Sequence, residues 1–161
     1  MTRTAMAGIV GALATALVGV GAVSAATGGD TPSGNKLAGA WKATVVQPAP
    51  LPTVLSLQVY TATGGLVETS NQPPMGRSPM LGNWVRTGGR RYSATGVHFL
   101  FDPQTGAFVG TRRIDRTFEL AQDGQSFTGI ARVTTFDVNG NTLGTGTANT
   151  SGERMQVEAQ P

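Results

Sequence analysis

With one histidine and no cysteine among its 161 residues, this chain has few groups with which to do chemistry. A metal site of several His or Cys ligands is out of reach within one chain. A Ser-His-Asp triad could draw only on His98, and no Gly-x-Ser-x-Gly elbow accompanies it. Neither a phosphate-binding glycine loop nor a dinucleotide fingerprint is present, so no cofactor is expected. What remains is Glu68 together with Arg112 and Arg116. A carboxylate beside arginines in an apolar surround could close a structural ion-pair network or orient the polar group of a ligand. It could also serve as a general base, with His98 as the other weak catalytic candidate. Met75 and Met80 add a further option, a soft copper(I) site completed by Met155 or His98. Flexible apolar lid residues explain these methionines better, and plain loop residues better still, so no metal is expected.

The methionines belong to the most unusual stretch of the chain, VETSNQPPMGRSPMLGNWVRTG (67–88). Pro73, Pro74 and Pro79 forbid regular strand pairing there. The sequence therefore predicts a long, semi-rigid loop over residues 71–80 in a chain whose other turns are tight. Long loops in compact domains are often lids or binding loops. Glu68 and Trp84 flank the base of this one.

The elements that must position these residues are strands. Runs rich in Val, Thr, Phe, Tyr and Leu are divided by turn signals at Gly64-Gly65, Gly88-Gly89, Asp102–Gly106, Asp123-Gly124, Asn139-Gly140 and Ser151-Gly152. Nothing after the leader sustains an apolar period of 3.6. Strands are expected at 37–47, 53–61, 65–70, 81–87, 90–102, 107–121, 125–137, 142–149 and 152–158. Long strands in sequential order describe an all-β antiparallel meander, and closure into a barrel hides its edges. The expected fold is an up-and-down β-barrel of 8–9 strands, with a Greek-key sandwich as the alternative. In strand 107–121, Phe108, Ile114, Phe118 and Leu120 share a face that should point inward, which carries Arg112 and Arg116 with it. Both faces of strand 90–102 hold apolar residues, so the direction of His98 is open.

Residues 1–25 read as a secretory signal peptide: Arg3, an apolar run over Ala5–Val23, and the small exit Val23-Ser24-Ala25. An uncleaved membrane anchor is the alternative and would be the chain's sole membrane contact, since the run approaches the roughly 20 residues needed to span. Residues 26–36 form a polar tether, and 37–161 the barrel domain. Cleavage would remove Arg3 from 12 basic residues and none of the 9 acids, leaving a net charge of +2. That is too little to suggest nucleic acid. The expected location is secreted or in the cell envelope.

Gly39-Ala40-Trp41 opens the first strand, and Arg154 lies in the last. This pattern resembles the calycin superfamily, whose lipocalin members begin with Gly-x-Trp and often pack a late Arg across that Trp. The order Gly39–Trp41, Val67–Thr69, Gly82–Trp84 and Asp123–Gly129 is also similar to small exported bacterial lipocalin-like proteins and to allene-oxide-cyclase-type barrels. The resemblance implies a barrel with an interior cavity and structural roles for Gly39, Trp41 and Arg154; it implies no single activity. The expected function is binding of a small apolar ligand with one polar end, by a monomer or weak dimer. Glu68, Arg112 and Arg116 would orient the ligand, with Trp84, Met75 and Met80 around it. The rivals are a cyclase or isomerase using Glu68 or His98, and a structural or adhesive protein whose barrel is filled by Phe108, Ile114, Phe118 and Leu120.

Overall fold

The structure, a computed structural model, describes residues 36–73 and 76–158. The leader (1–25), most of the tether and Met75 lie outside the described residues. Eight strands follow in chain order: β1 (Gly39–Val46), β2 (Val54–Tyr60), β3 (Gly65–Ser70), β4 (Met80–Gly88), β5 (Arg91–Phe101), β6 (Phe108–Leu120), β7 (Ser126–Phe136) and β8 (Thr142–Arg154). Each pairs antiparallel with the next, and β8 returns to β1, closing an up-and-down barrel. Closure leaves no free edge, which matters in a chain without disulfides.

Period-2 alternation decides what faces inward. On β2, Val54, Ser56, Gln58 and Tyr60 are buried while the residues between them are exposed. On β5 the inner set is Tyr92, Ala94, Gly96 and His98, which settles the direction of the histidine. The connections follow side-chain chemistry. Asp102 and Asp137 each accept backbone N–H groups two to four residues ahead through a carboxylate oxygen. Such Asx turns reverse the chain tightly, and Gly106 and Gly140 close them at φ of 72° and 84°.

Two expectations fail for physical reasons. Ser151-Gly152 is no turn, because β8 runs unbroken from Thr142 to Arg154 and makes the eighth and last strand. Gly152 instead makes room for a ring: a Cβ there would lie 2.3 Å from the Phe127 side chain. Phe108 does not join the inner face of β6. The ladder pairs Leu100 with Gly110 but Phe101 with Phe108, so one extra residue is accommodated and Phe108 turns outward. It is 46% exposed, against the rings of Phe99 and Phe101.

One end of the barrel is filled with aromatic rings. Trp41, Tyr60, Trp84, Tyr92, Phe118 and Phe127 form a connected set with centroids 5.0–6.4 Å apart. Trp41 Nε1 donates to the Leu37 carbonyl at 2.9 Å, and the Arg154 guanidinium lies 4.4 Å from the indole centroid. Arg154 also donates to the carbonyls of Gly124, Ala38 and Lys36, tying the last strand to the segment before β1. A Cβ at Gly39 would fall 2.5 Å from that guanidinium.

Candidate functional site

The other end of the barrel is polar. Glu68 from β3 and Arg116 from β6 reach across the interior, and Arg116 Nη2 stands 2.6 Å from Glu68 Oε2. Their side chains are 4% and 2% exposed, so this charge pair is withdrawn from water. The contact is an ion pair without hydrogen-bond alignment, because Glu68 Oε2 has no aligned donor. Among the described residues, Arg116 Nε and Nη1 have no hydrogen-bond partner either.

His98 lies directly opposite Arg112 in the β5–β6 ladder and is 2% exposed, with both ring nitrogens unpartnered. Burial, reinforced by the positive charges of Arg77, Arg112 and Arg116, pushes its pKa down to about 4. The imidazole is therefore neutral at physiological pH. Arg112 donates through Nε to Thr135 Oγ1 at 3.3 Å. Desolvation lowers the Arg112 pKa from its usual value and does the same to Arg77.

Below this cluster, β2 supplies a polar ladder. The Tyr60 hydroxyl donates to Gln58 Oε1 at 2.8 Å, and Gln58 Nε2 donates to Ser56 Oγ at 3.0 Å. Burial raises the Tyr60 pKa to about 12, with the Arg116 charge opposing that rise. The phenol therefore stays protonated and acts as a donor.

Glu68, His98, Arg112 and Arg116 line a cavity of about 50 Å³, together with Val45, Gln47, Val54, Gln72, Arg77, Ile114, Ala131 and Val133. A water occupies about 30 Å³ in the liquid, so the space suits a small head group. Sites for whole drug-sized ligands run to about 300–1,000 Å³. A larger concavity of about 690 Å³, lined by Thr117, Thr128, Ile130 and Asn149 among others, is an open groove whose charged side chains, Arg91 and Glu119, form an exposed pair.

Two residues expected at the site do not line the cavity. Trp84 belongs to the aromatic end, where its Nε1 donates to the Thr61 carbonyl at 3.0 Å. Met80 is the first residue of β4, directly opposite Glu68 in the β3–β4 ladder, 2% exposed and pressed against Gly96, so it packs in the core beside the cluster. Met155, the third methionine considered for copper, is half-exposed beyond the end of β8. Among the described residues, no three His, Asp or Glu side chains gather as metal ligands would.

The loop between β3 and β4 contributes different residues from those the sequence suggested. Ser78 clasps the end of β5: its N–H donates to the Phe99 carbonyl, and its hydroxyl accepts from the Phe99 N–H, both at 3.0 Å. Arg77 bridges to Leu100, and its guanidinium donates to Ser70 Oγ. Through these contacts Arg77 and Gln72 join the cavity lining. Arg77 carried no periodic signal, since it lies in no strand. The inner face of β2 runs against hydropathy: Ser56, Gln58 and Tyr60 are buried, whereas Leu55, Leu57 and Val59, which an apolar-inward alternation would bury, are 43–50% exposed.

No family model matches the chain, and comparison with curated proteins and with solved structures finds no significant similarity to either.

Proposed function

We propose that this protein is an exported, calycin-like carrier that holds a small, mainly apolar molecule by its one polar end at the mouth of the barrel. The observation that carries this reading is the contrast between the two ends. Aromatic rings fill one, while five ionisable side chains line a cavity at the other. An eight-stranded barrel is just wide enough to be filled by side chains or to hold one small ligand, and this interior divides its length between the two. Val45, Val54, Ile114 and Val133 give the polar cavity an apolar rim, against which the body of a ligand would lie. The leader sequence supports export, which N-terminal sequencing of protein from the culture medium or envelope would test. For the carrier role, native mass spectrometry of protein from its own host, followed by denaturing extraction, should release a bound small molecule. That molecule should be lost from a folded Arg112→Leu variant. Empty protein from the native host would sink the reading.

A second reading is favoured by the outer wall. Across β2 to β5, Val59 faces Val67, Val67 faces Leu81, and Leu81 faces Val97, all outward and 40–64% exposed. Leu57, Val85 and Phe99 extend this uncharged strip. Contiguous apolar surface of this kind marks interaction sites, and a second copy of the chain would cover it in a structural or adhesive protein. Concentration-dependent sedimentation, abolished by Leu81→Lys, would establish that role.

A further inference from the structure

We infer that the polar end of the ligand is an oxyanion, a carboxylate on an apolar tail, taken by Arg77, Arg112 and Arg116. This rests on the carrier reading above and names the chemistry of its ligand.

Charge is the first ground. Three guanidinium groups share the cavity with one carboxylate, Glu68, and with a neutral histidine, so two positive charges are left over. The charged groups that act on Arg77 are Glu68, Arg112 and Arg116, and those that act on His98 are Arg77, Arg112 and Arg116, so among the described residues no further acid balances the cluster. Arg116 already faces Glu68, so the surplus sits on Arg77 and Arg112, which are half-buried, and charge partly withdrawn from water is stabilised by an opposite charge. A bound anion would supply it.

Unsatisfied donors are the second ground. Arg116 Nε and Nη1 and both ring nitrogens of His98 are buried without partners around the same small space. Buried polar atoms almost always have partners. Water would satisfy the N–H groups but not the charge, whereas a carboxylate does both and is the group arginine recognises best. The imidazole can present a single N–H to the second oxygen in its neutral form.

Size and rim complete the case. A cavity of about 50 Å³ accepts a carboxylate and little more. The valines at its edge would leave a bare inorganic ion with unused apolar surface. An ammonium end would meet net repulsion, and an alcohol would leave the excess charge uncompensated.

The test is to titrate the full chain with decanoate, decanol, decylammonium and sodium sulfate. Calorimetry would give affinity, and ¹H–¹⁵N spectra of the chain's one imidazole would report on the site. Decanoate should shift the His98 signals and bind at least 10-fold more tightly than decanol, with decylammonium inert. Arg112→Gln, or Arg77→Gln should that variant fail to fold, should lose about 10-fold for decanoate and nothing for decanol. Decanol binding as tightly as decanoate would overturn the anion inference while the carrier reading stands. Sulfate matching decanoate would keep the oxyanion site and overturn the apolar tail. Silence from all four probes up to millimolar concentration would overturn both.

Discussion

Arg116 Nη2 lies 2.6 Å from Glu68 Oε2 inside the barrel, yet two of the three guanidinium nitrogens of Arg116 make no hydrogen bond among the described residues. The pair is both a strut between β3 and β6 and an incomplete one. Removing one partner of a buried ion pair typically costs about 3–5 kcal/mol, because the other charge is left stranded. Glu68→Gln should therefore lower the melting temperature markedly. Its effect on carboxylate binding separates two roles: a carrier should keep or gain affinity for decanoate, since a competing negative charge is gone. A cyclase or isomerase with Glu68 as base would lose turnover at unchanged affinity.

His98 provides a pH prediction. Its folded pKa of about 4 lies below the ordinary 6.5, so the unfolded chain binds the proton more readily. Stability from this group is fully present above about pH 6.5 and is lost as pH falls toward 4, up to on the order of 2–3 kcal/mol. Urea melts at pH 7 and pH 4.5 should differ in that direction, and His98→Gln should flatten the His98 part of the dependence. An imidazole that titrates near 6.5 in the folded protein would contradict the buried, arginine-flanked placement.

Glycines on the last strand should divide sharply. Gly152→Ala drives a methyl into the Phe127 ring, and overpacking of a closed core typically costs about 1–3 kcal/mol or more. Gly144 and Gly146 have nothing within 4 Å of a Cβ, so alanine there should be nearly neutral. Thermal melts of the three single variants check this.

Arg154 should matter more than an ordinary surface arginine. It lies over Trp41 and holds three backbone carbonyls from two segments. A cation–π contact contributes about 0.5–2 kcal/mol, and each lost hydrogen bond adds roughly 1 kcal/mol. Because the guanidinium is partly exposed and its bond to Lys36 lies at the surface, Arg154→Met should cost about 2–3 kcal/mol, less than the simple sum, and alter the Trp41 fluorescence. Lys42→Met, at an exposed position beside it in β1, should do neither.

Strand order and the barrel were legible because alternation and turn chemistry are local. Tyr92, Ala94, Gly96 and His98 read as one face from spacing alone. Where that local evidence ended, the errors began. Ser151-Gly152 has the composition of a turn, and only the Phe127 ring on the neighbouring strand explains the glycine. Phe108 lost its place on the inner face to a single-residue bulge, which a periodic reading cannot see. Met80 and Trp84 share the inner face of β4, but four residues of strand, about 13 Å, separate them, so Met80 lies beside Glu68 and Trp84 among the aromatic rings. Arg77 was hidden for the opposite reason: the loop that carries it is positioned by Ser78 on Phe99, a contact with no trace in spacing.

The seam between β1 and β8 also has a cost in time. Arg154 bonds to Ala38 across 116 positions of the chain. Until the last strand is available, β1 has only β2 beside it, and its other edge stands open. Closure across so long a stretch is slow, and an open edge is a template for pairing with a stranger. During that interval the chain most needs shielding, whether by a chaperone or by being kept unfolded until its C-terminal strand arrives.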